Sequence, residues 1–206
     1  MKLFIKKIFF KIKNVEDFLS LENKPIFLHC SGYWQDISLL DSFKDEFKIF
    51  INKKLIELNM ENYKTHPNST MIHVRRSDYL KLNEDLRMDY YQNAMFLFKK
   101  DTNKFKFDIY TDDPTWVLEQ EDFSSAKNIY KPNSVQGKNA NKDALENFLK
   151  MLFYENYILS NSTYSLLAYE FSFSNNKQVT VPEPWFRNRW YGKIYPNNCY
   201  KIKNLK

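Results

Sequence analysis

Thr70–Leu80 reads TMIHVRRSDYL, and the rest of the chain is organised around it. Met71, Ile72 and Val74 are apolar, and Val and Ile favour pleated backbone, so the stretch opens as a strand. Then come Arg75, Arg76, Ser77, Asp78 and Tyr79. Side chains alternate faces along a strand. On a strand over 70–76, His73 and Arg75 share one face and Arg76 lies on the other. Two readings follow. The arginines are a solvated strand end, or they form an anion-binding edge, since a guanidinium presents a rigid donor fork that fits phosphate.

Downstream, strands alternate with helices. A helix is expected near 87–100, a strand at 105–110, and a short helix from Pro114, with Asp113 as its N-cap. Short strands follow at 128–130, 156–160 and 178–181. Between them lie a helix starting at the Asp143-x-x-Glu146 capping-box pattern and another over 163–173. Polar residues 132–142, with Gly137, read as a loop. This rhythm predicts an α/β fold, a parallel sheet with helices on both sides. Such sheets bind ligands beyond the carboxyl ends of their strands.

Upstream, Pro25–Cys30 reads as a buried strand and Tyr33-Trp34-Gln35 as a loop. A helix is expected from Asp36 to Lys54, with Phe43, Phe47, Phe50 and Ile51 at helical steps. Polar residues 59–69 suggest a linker. The division expected is an N-terminal region at 1–67 and an α/β domain at 68–206. Residues 1–13 carry five lysines among apolar residues, too interrupted for a signal peptide or a membrane span. On a helix they would suit an anionic membrane surface; as a first strand or helix they would simply dock on the domain.

Composition narrows the function. Hydrophobic residues make up 43% of the 206, which excludes a disordered chain. Only three glycines occur, which excludes both the P-loop and the dinucleotide fingerprint. Any phosphate must therefore be held by side chains and helix N-termini. Two cysteines and three histidines, widely spaced, predict no metal site. The net charge of +6 fits an anionic partner without choosing one. No RNA or DNA motif is present, so nucleic acid is not the expected partner.

The candidate chemistry collects at strand ends. Arg75, Arg76, Ser77, Asp78 and Tyr79 follow the first strand, and Asp112 and Asp113 the second. Asn161, Ser162, Thr163 and Ser165 open a helix after the next, where unpaired N–H groups favour phosphate. Ordinary capping by Ser162 or Thr163 explains the same residues. Asp113 is accounted for as a cap, leaving Asp112 free to accept from a ribose or base. Pro182–Phe186 follows the last strand.

These residues match a family pattern. His73–Tyr79 (HVRRSDY) resembles the HxRRxDY motif of the α-1,2-fucosyltransferases, glycosyltransferase family 11. Tyr33-Trp34-Gln35 resembles that family's GY-aromatic-Q stretch. Ile109–Asp113 resembles its strand end F-S-D-D, Ile158–Ser165 its I-x-S-N-S-[ST]-F-S block, and Val179–Phe186 its V-I-A-P-x-x-W-F block. Together the blocks cover about residues 25–190.

The resemblance implies a GT-B-type enzyme of two facing Rossmann-like domains, the donor in the C-terminal one. It implies inverting, metal-independent transfer of L-fucose from GDP-β-L-fucose to a galactose hydroxyl, with no cofactor. The partners implied are GDP-fucose and a galactose-containing glycan. The setting is surface-polysaccharide synthesis in the cytoplasm, with membrane contact through residues 1–13. Arg75 is expected to stabilise the leaving diphosphate, with Arg76 partly structural. Asp78 is either the general base or a structural hydrogen-bond partner. His73, Tyr79, Asp112, Asn161, Ser162 and Ser165 complete the expected donor site. Two departures stand out. Leu166-Leu167 replace the family's paired tryptophans, and the Gly-rich GGLGNQ-type segment has no counterpart. The second predicts a shortened member, with an inactive remnant or a subunit completed by another chain as alternatives.

Overall fold

The computed structural model describes residues 10–12, 28–30, 37–65, 67–99, 105–132, 138–189 and 191–204. Six strands form one all-parallel sheet: β3 (Ser69–Val74), β4 (Lys106–Thr111), β5 (Asn128–Tyr130), β6 (Asn156–Ile158), β7 (Gln178–Glu183) and β8 (Tyr200–Lys203). Their spatial order is β5-β4-β3-β6-β7-β8. The chain thus builds outward in one direction from β3 and in the other from β6. The reversal lies between these two central strands, where doubly wound sheets bind ligands. The expected α/β, Rossmann-like fold is what the chain adopts.

Alternation along the strands explains why both faces are covered. On β3, Met71 points into one core and Ile72 and Val74 into the other; on β4, Tyr110 opposes Phe107 and Ile109 in the same way. One face is covered by α1 (Lys44–Glu57), α5 (Lys138–Met151) and α6 (Thr163–Glu170), through Ile51, Leu149 and Leu166. The other is covered by α3 (Met88–Phe98) and α4 (Pro114–Leu118), through Tyr91 and Val117. A further short helix, α2 (Ser77–Leu82), follows β3 directly. Tyr90 of α3 is buried, and its hydroxyl donates to the Leu159 carbonyl at 2.5 Å, fixing α3 to the turn after β6.

Several expectations need correction. β3 ends at Val74, so Arg75 and Arg76 lie in the turn and not on the strand. The capping-box helix begins at Lys138, five residues early, leaving Asp143 and Glu146 inside it. No proline or glycine separates Lys138 from Asp143, so nothing stops the helix extending backward. Asp36–Lys54 is split: a 3-10 turn at Ile37–Ser42 precedes α1. Phe47 and Ile51 face the core, but Phe43 and Phe50 are exposed. β8 was not anticipated, although Tyr200–Lys203 alternates as an edge strand should. Ile51 and Leu55 of α1 pack in the same core as Met71 and Tyr157.

Two short strands pair in parallel, β1 (Phe10–Ile12) with β2 (Leu28–Cys30). A helix therefore does not run through Phe10–Ile12. The rest of residues 1–13, Tyr33-Trp34-Gln35 and the Gly137 loop lie outside the described residues. Among the described residues, no helix is long and apolar enough to cross a membrane.

Candidate active site

A cleft of about 360 Å³ opens at the carboxyl ends of β3 and β4, facing the start of α6. His73, Arg75, Asp78, Tyr79, Asp112 and Ser162 all line it. Arg76, Asn161 and Ser165 do not.

His73 is the last inward residue of β3. Its ring is buried, and Nδ1 lies 2.6 Å from the Ser160 hydroxyl. Burial, helped by the nearby Arg75 charge, pushes its pKa down to about 3. It is therefore a neutral hydrogen-bonding group at ordinary pH and a poor base.

Arg75 leaves the strand end and is held by two carboxylates. One nitrogen lies 2.8 Å from Asp78 and another 3.1 Å from Asp112. Its guanidinium also sits 5.8 Å from the centre of the Tyr79 ring. The side chain keeps 38% of its surface exposed, so it is fixed but accessible.

Arg76 turns the other way. Its guanidinium stacks 4.0 Å over the Trp116 ring and contacts Asp113 at 3.2 Å and Asp85 at 3.4 Å. Only 11% of its side chain is exposed. The adjacent arginines are thus not a pair in function: one faces the cleft, and the other ties the turn to α4.

Asp112 is not the free acceptor expected from the sequence. One carboxylate oxygen accepts from Arg76 N–H at 2.8 Å, and the other accepts from Ser77 N–H at 3.3 Å and meets Arg75. The turn after β3 needs an acceptor for these exposed N–H groups, and the end of the neighbouring β4 supplies it. Asp113 behaves as anticipated, capping α4 through Trp116 N–H at 3.1 Å, with Pro114 at the first helical position.

The start of α6 also departs from simple capping. Ser162 occupies the N-cap position, but its side chain makes no capping bond. Helical bonding begins with Leu166 N–H to the Ser162 carbonyl at 3.1 Å. The N–H groups of the turn before it have no partner within the helix, and this positive end of α6 faces the cleft. Ser165, by contrast, is fully buried and donates its hydroxyl to the Ser162 carbonyl at 3.1 Å, which points it away from a ligand. Asn161 is a brace. Its side-chain amide donates to the Glu84 main-chain carbonyl at 2.8 Å, and its main-chain carbonyl accepts from the Tyr79 hydroxyl at 3.0 Å.

The sequence reading missed part of the lining. Tyr110 and Tyr130, partners in adjacent strands, stack at 4.5 Å and form one wall. Arg189 and Phe186 come from the loop after β7. Glu84, fully buried, anchors that loop by accepting from Arg187 N–H at 2.8 Å and Asn188 N–H at 2.9 Å. Arg189 lies three residues beyond Phe186, the last residue of the strand-end segment expected from the sequence.

The whole arrangement is a cleft at the carboxyl ends of a parallel sheet, lined by the clamped Arg75 and by a helix N-terminus. The family model for Glycosyl transferase family 11 matches residues 1–192. The chain belongs to glycosyltransferase family 11. This is a family of fucosyltransferases, so the cleft belongs to a glycosyltransferase that takes a nucleotide-sugar donor and a glycan acceptor. Nothing matches the chain among curated proteins or among solved structures.

Proposed function

We propose that this glycosyltransferase moves L-fucose from GDP-β-L-fucose to a galactoside hydroxyl, forming an α-1,2 linkage with inversion. One observation carries the reading: Arg75, clamped but accessible, lines the same cleft as the amino end of α6. As the glycosidic bond breaks, negative charge grows on the diphosphate. A guanidinium already fixed in place stabilises that charge without reorganising. Arginine stays charged at any working pH, so it needs no metal to help it. The α6 N-terminus and the Ser162 hydroxyl supply further donors for phosphate oxygens.

Inversion requires a base for the acceptor hydroxyl. Asp78 fits that part: it lines the cleft, and its side chain is 54% exposed. Inversion brings the acceptor hydroxyl to the face of the anomeric carbon opposite the diphosphate, so in this reading the Asp78 carboxylate turns from Arg75 toward that face to take the proton. His73 is unsuited, because burial keeps it from taking a proton.

The same proposal takes residues 68–206 as the donor domain of a GT-B-type enzyme. Residues 1–67 then belong to the acceptor side, with α1 docked on the donor sheet. The setting is cytoplasmic surface-glycan synthesis.

Calorimetry with GDP and GDP-fucose, followed by a transfer assay on a galactoside, tests this. Binding of both with transfer supports it. Binding without transfer would make the chain a nucleotide-sugar-binding remnant, and no binding of either would remove the donor assignment.

A further inference from the structure

The adjacent arginines of the β3 turn do not act together, so the cleft must find its second cation elsewhere. Arg76 is committed to Trp116, Asp113 and Asp85. Arg75 is balanced by Asp78 and Asp112. Taken alone, this group is one guanidinium against two carboxylates, which repels a diphosphate dianion. Among the described residues, Arg189 is the other guanidinium on the cleft wall. It brings a second positive charge to the described lining, on the same cleft as the positive end of α6.

Placement supports the same choice. Arg75 lies 5.8 Å from the centre of the Tyr79 ring. Tyr79 meets Phe186 edge-on, with centres 6.2 Å apart. Arg189 lies 5.8 Å from the centre of the Phe186 ring. Two rings thus form a continuous wall with a guanidinium at each end.

The loop that carries Arg189 is built to be still. The buried carboxylate of Glu84 holds the N–H groups of Arg187 and Asn188, the two residues just before it. Arg187 itself is locked by the Asn83 carbonyl at 2.6 Å, the Asp85 carbonyl at 2.9 Å and Asn204 at 3.0 Å. Trp185 is fully buried, and its main-chain N–H donates to the Tyr195 hydroxyl at 3.0 Å. Anchoring on both sides of Phe186 presents Arg189 to the cleft at little cost in ordering.

We infer that Arg189 is the second guanidinium of the donor-diphosphate clamp, acting with Arg75 from across the Tyr79–Phe186 wall. The inference rests on the nucleotide-diphosphate reading above and deepens it.

Calorimetry on the whole chain with GDP, UDP and inorganic pyrophosphate tests it, using wild type, Arg189→Ala, Arg189→Lys and Arg75→Ala. Arg189→Ala should weaken GDP and pyrophosphate by about ten-fold or more, with unchanged thermal melting. Arg189→Lys should recover part of the loss, because it restores charge without the fork. If wild type prefers UDP to GDP but the dependence on Arg189 persists, this inference stands and the guanine assignment fails. It is overturned if Arg189→Ala binds like wild type while Arg75→Ala does not. It is equally overturned if wild type binds none of the three.

Discussion

The guanidinium of Arg76 lies over the indole of Trp116, 4.0 Å from the ring centre, while Arg75, one residue earlier, lines the cleft. The two positions should therefore fail in different ways. Arg76→Ala removes a nearly buried cation and leaves Asp113 and Asp85 without it. That should cost roughly 3 kcal/mol of stability, read as a lower urea midpoint. A midpoint equal to wild type would show that the stack does not hold the turn.

Arg75→Ala should leave the melting temperature nearly unchanged, because the side chain is substantially exposed. Transfer should fall by about a hundred-fold or more, the scale of losing one fixed donor to a developing anion. Unaltered kcat/KM for fucose transfer would remove Arg75 from the reaction.

Asp78→Asn separates a base from a clamp. As a base, Asp78 contributes about a hundred-fold or more to turnover. The variant should lose kcat yet keep its grip on GDP, since Asn removes a carboxylate competing with phosphate for Arg75. Retained kcat would place the base elsewhere.

Glu84→Ala strips two backbone N–H groups of their buried acceptor. Each such loss costs about 1–3 kcal/mol, so denaturant unfolding should show clear destabilisation. Glu84→Gln keeps one acceptor oxygen. It should fold better than Glu84→Ala but bind GDP more weakly than wild type, because the loop bearing Arg189 is less firmly held. Equal stability of all three proteins would contradict this anchoring.

His73 makes stability depend on pH with a definite sign. Its pKa falls from 6.5 to about 3 on folding. Between those values the unfolded chain binds the extra proton, so this contribution is complete above pH 6.5 and is lost as pH drops below it. The slope approaches about 1.4 kcal/mol per pH unit. The gap in stability between wild type and His73→Asn should therefore shrink from pH 7.5 to pH 5. A gap that stays constant would mean that His73 titrates normally.

Much of this fold was legible because it is written locally. The apolar strand cores, Asp113-Pro114 and the turn after Ile158 each announce themselves within a few residues. The start of α5 did not, because a capping-box pattern competes with plain helix continuation and tertiary packing decides between them. The site was legible at the level of strand ends and no finer. That Arg75 faces the cleft while Arg76 stacks on Trp116 depends on where α4 lies. That Asp112 is engaged depends on the register placing Val74 beside Thr111. Glu84 and Arg187 look like ordinary surface charges in sequence, and their pairing links positions far apart in the chain. No local pattern encodes such a pairing.

The reversal between β3 and β6 also bears on when the site can exist. These strands meet over only three residue pairs, Thr70 with Asn156 through Ile72 with Ile158. His73, Arg75 and Asp112 come from the half built around β3; Ser162 and Arg189 come from the half built around β6. During synthesis on the ribosome, the first half is made without a partner along that seam. The cleft closes only after the loop following β7 has emerged. A ligand bound there bridges early and late parts of the chain, so it should guard the seam against opening and against proteases that cut through it.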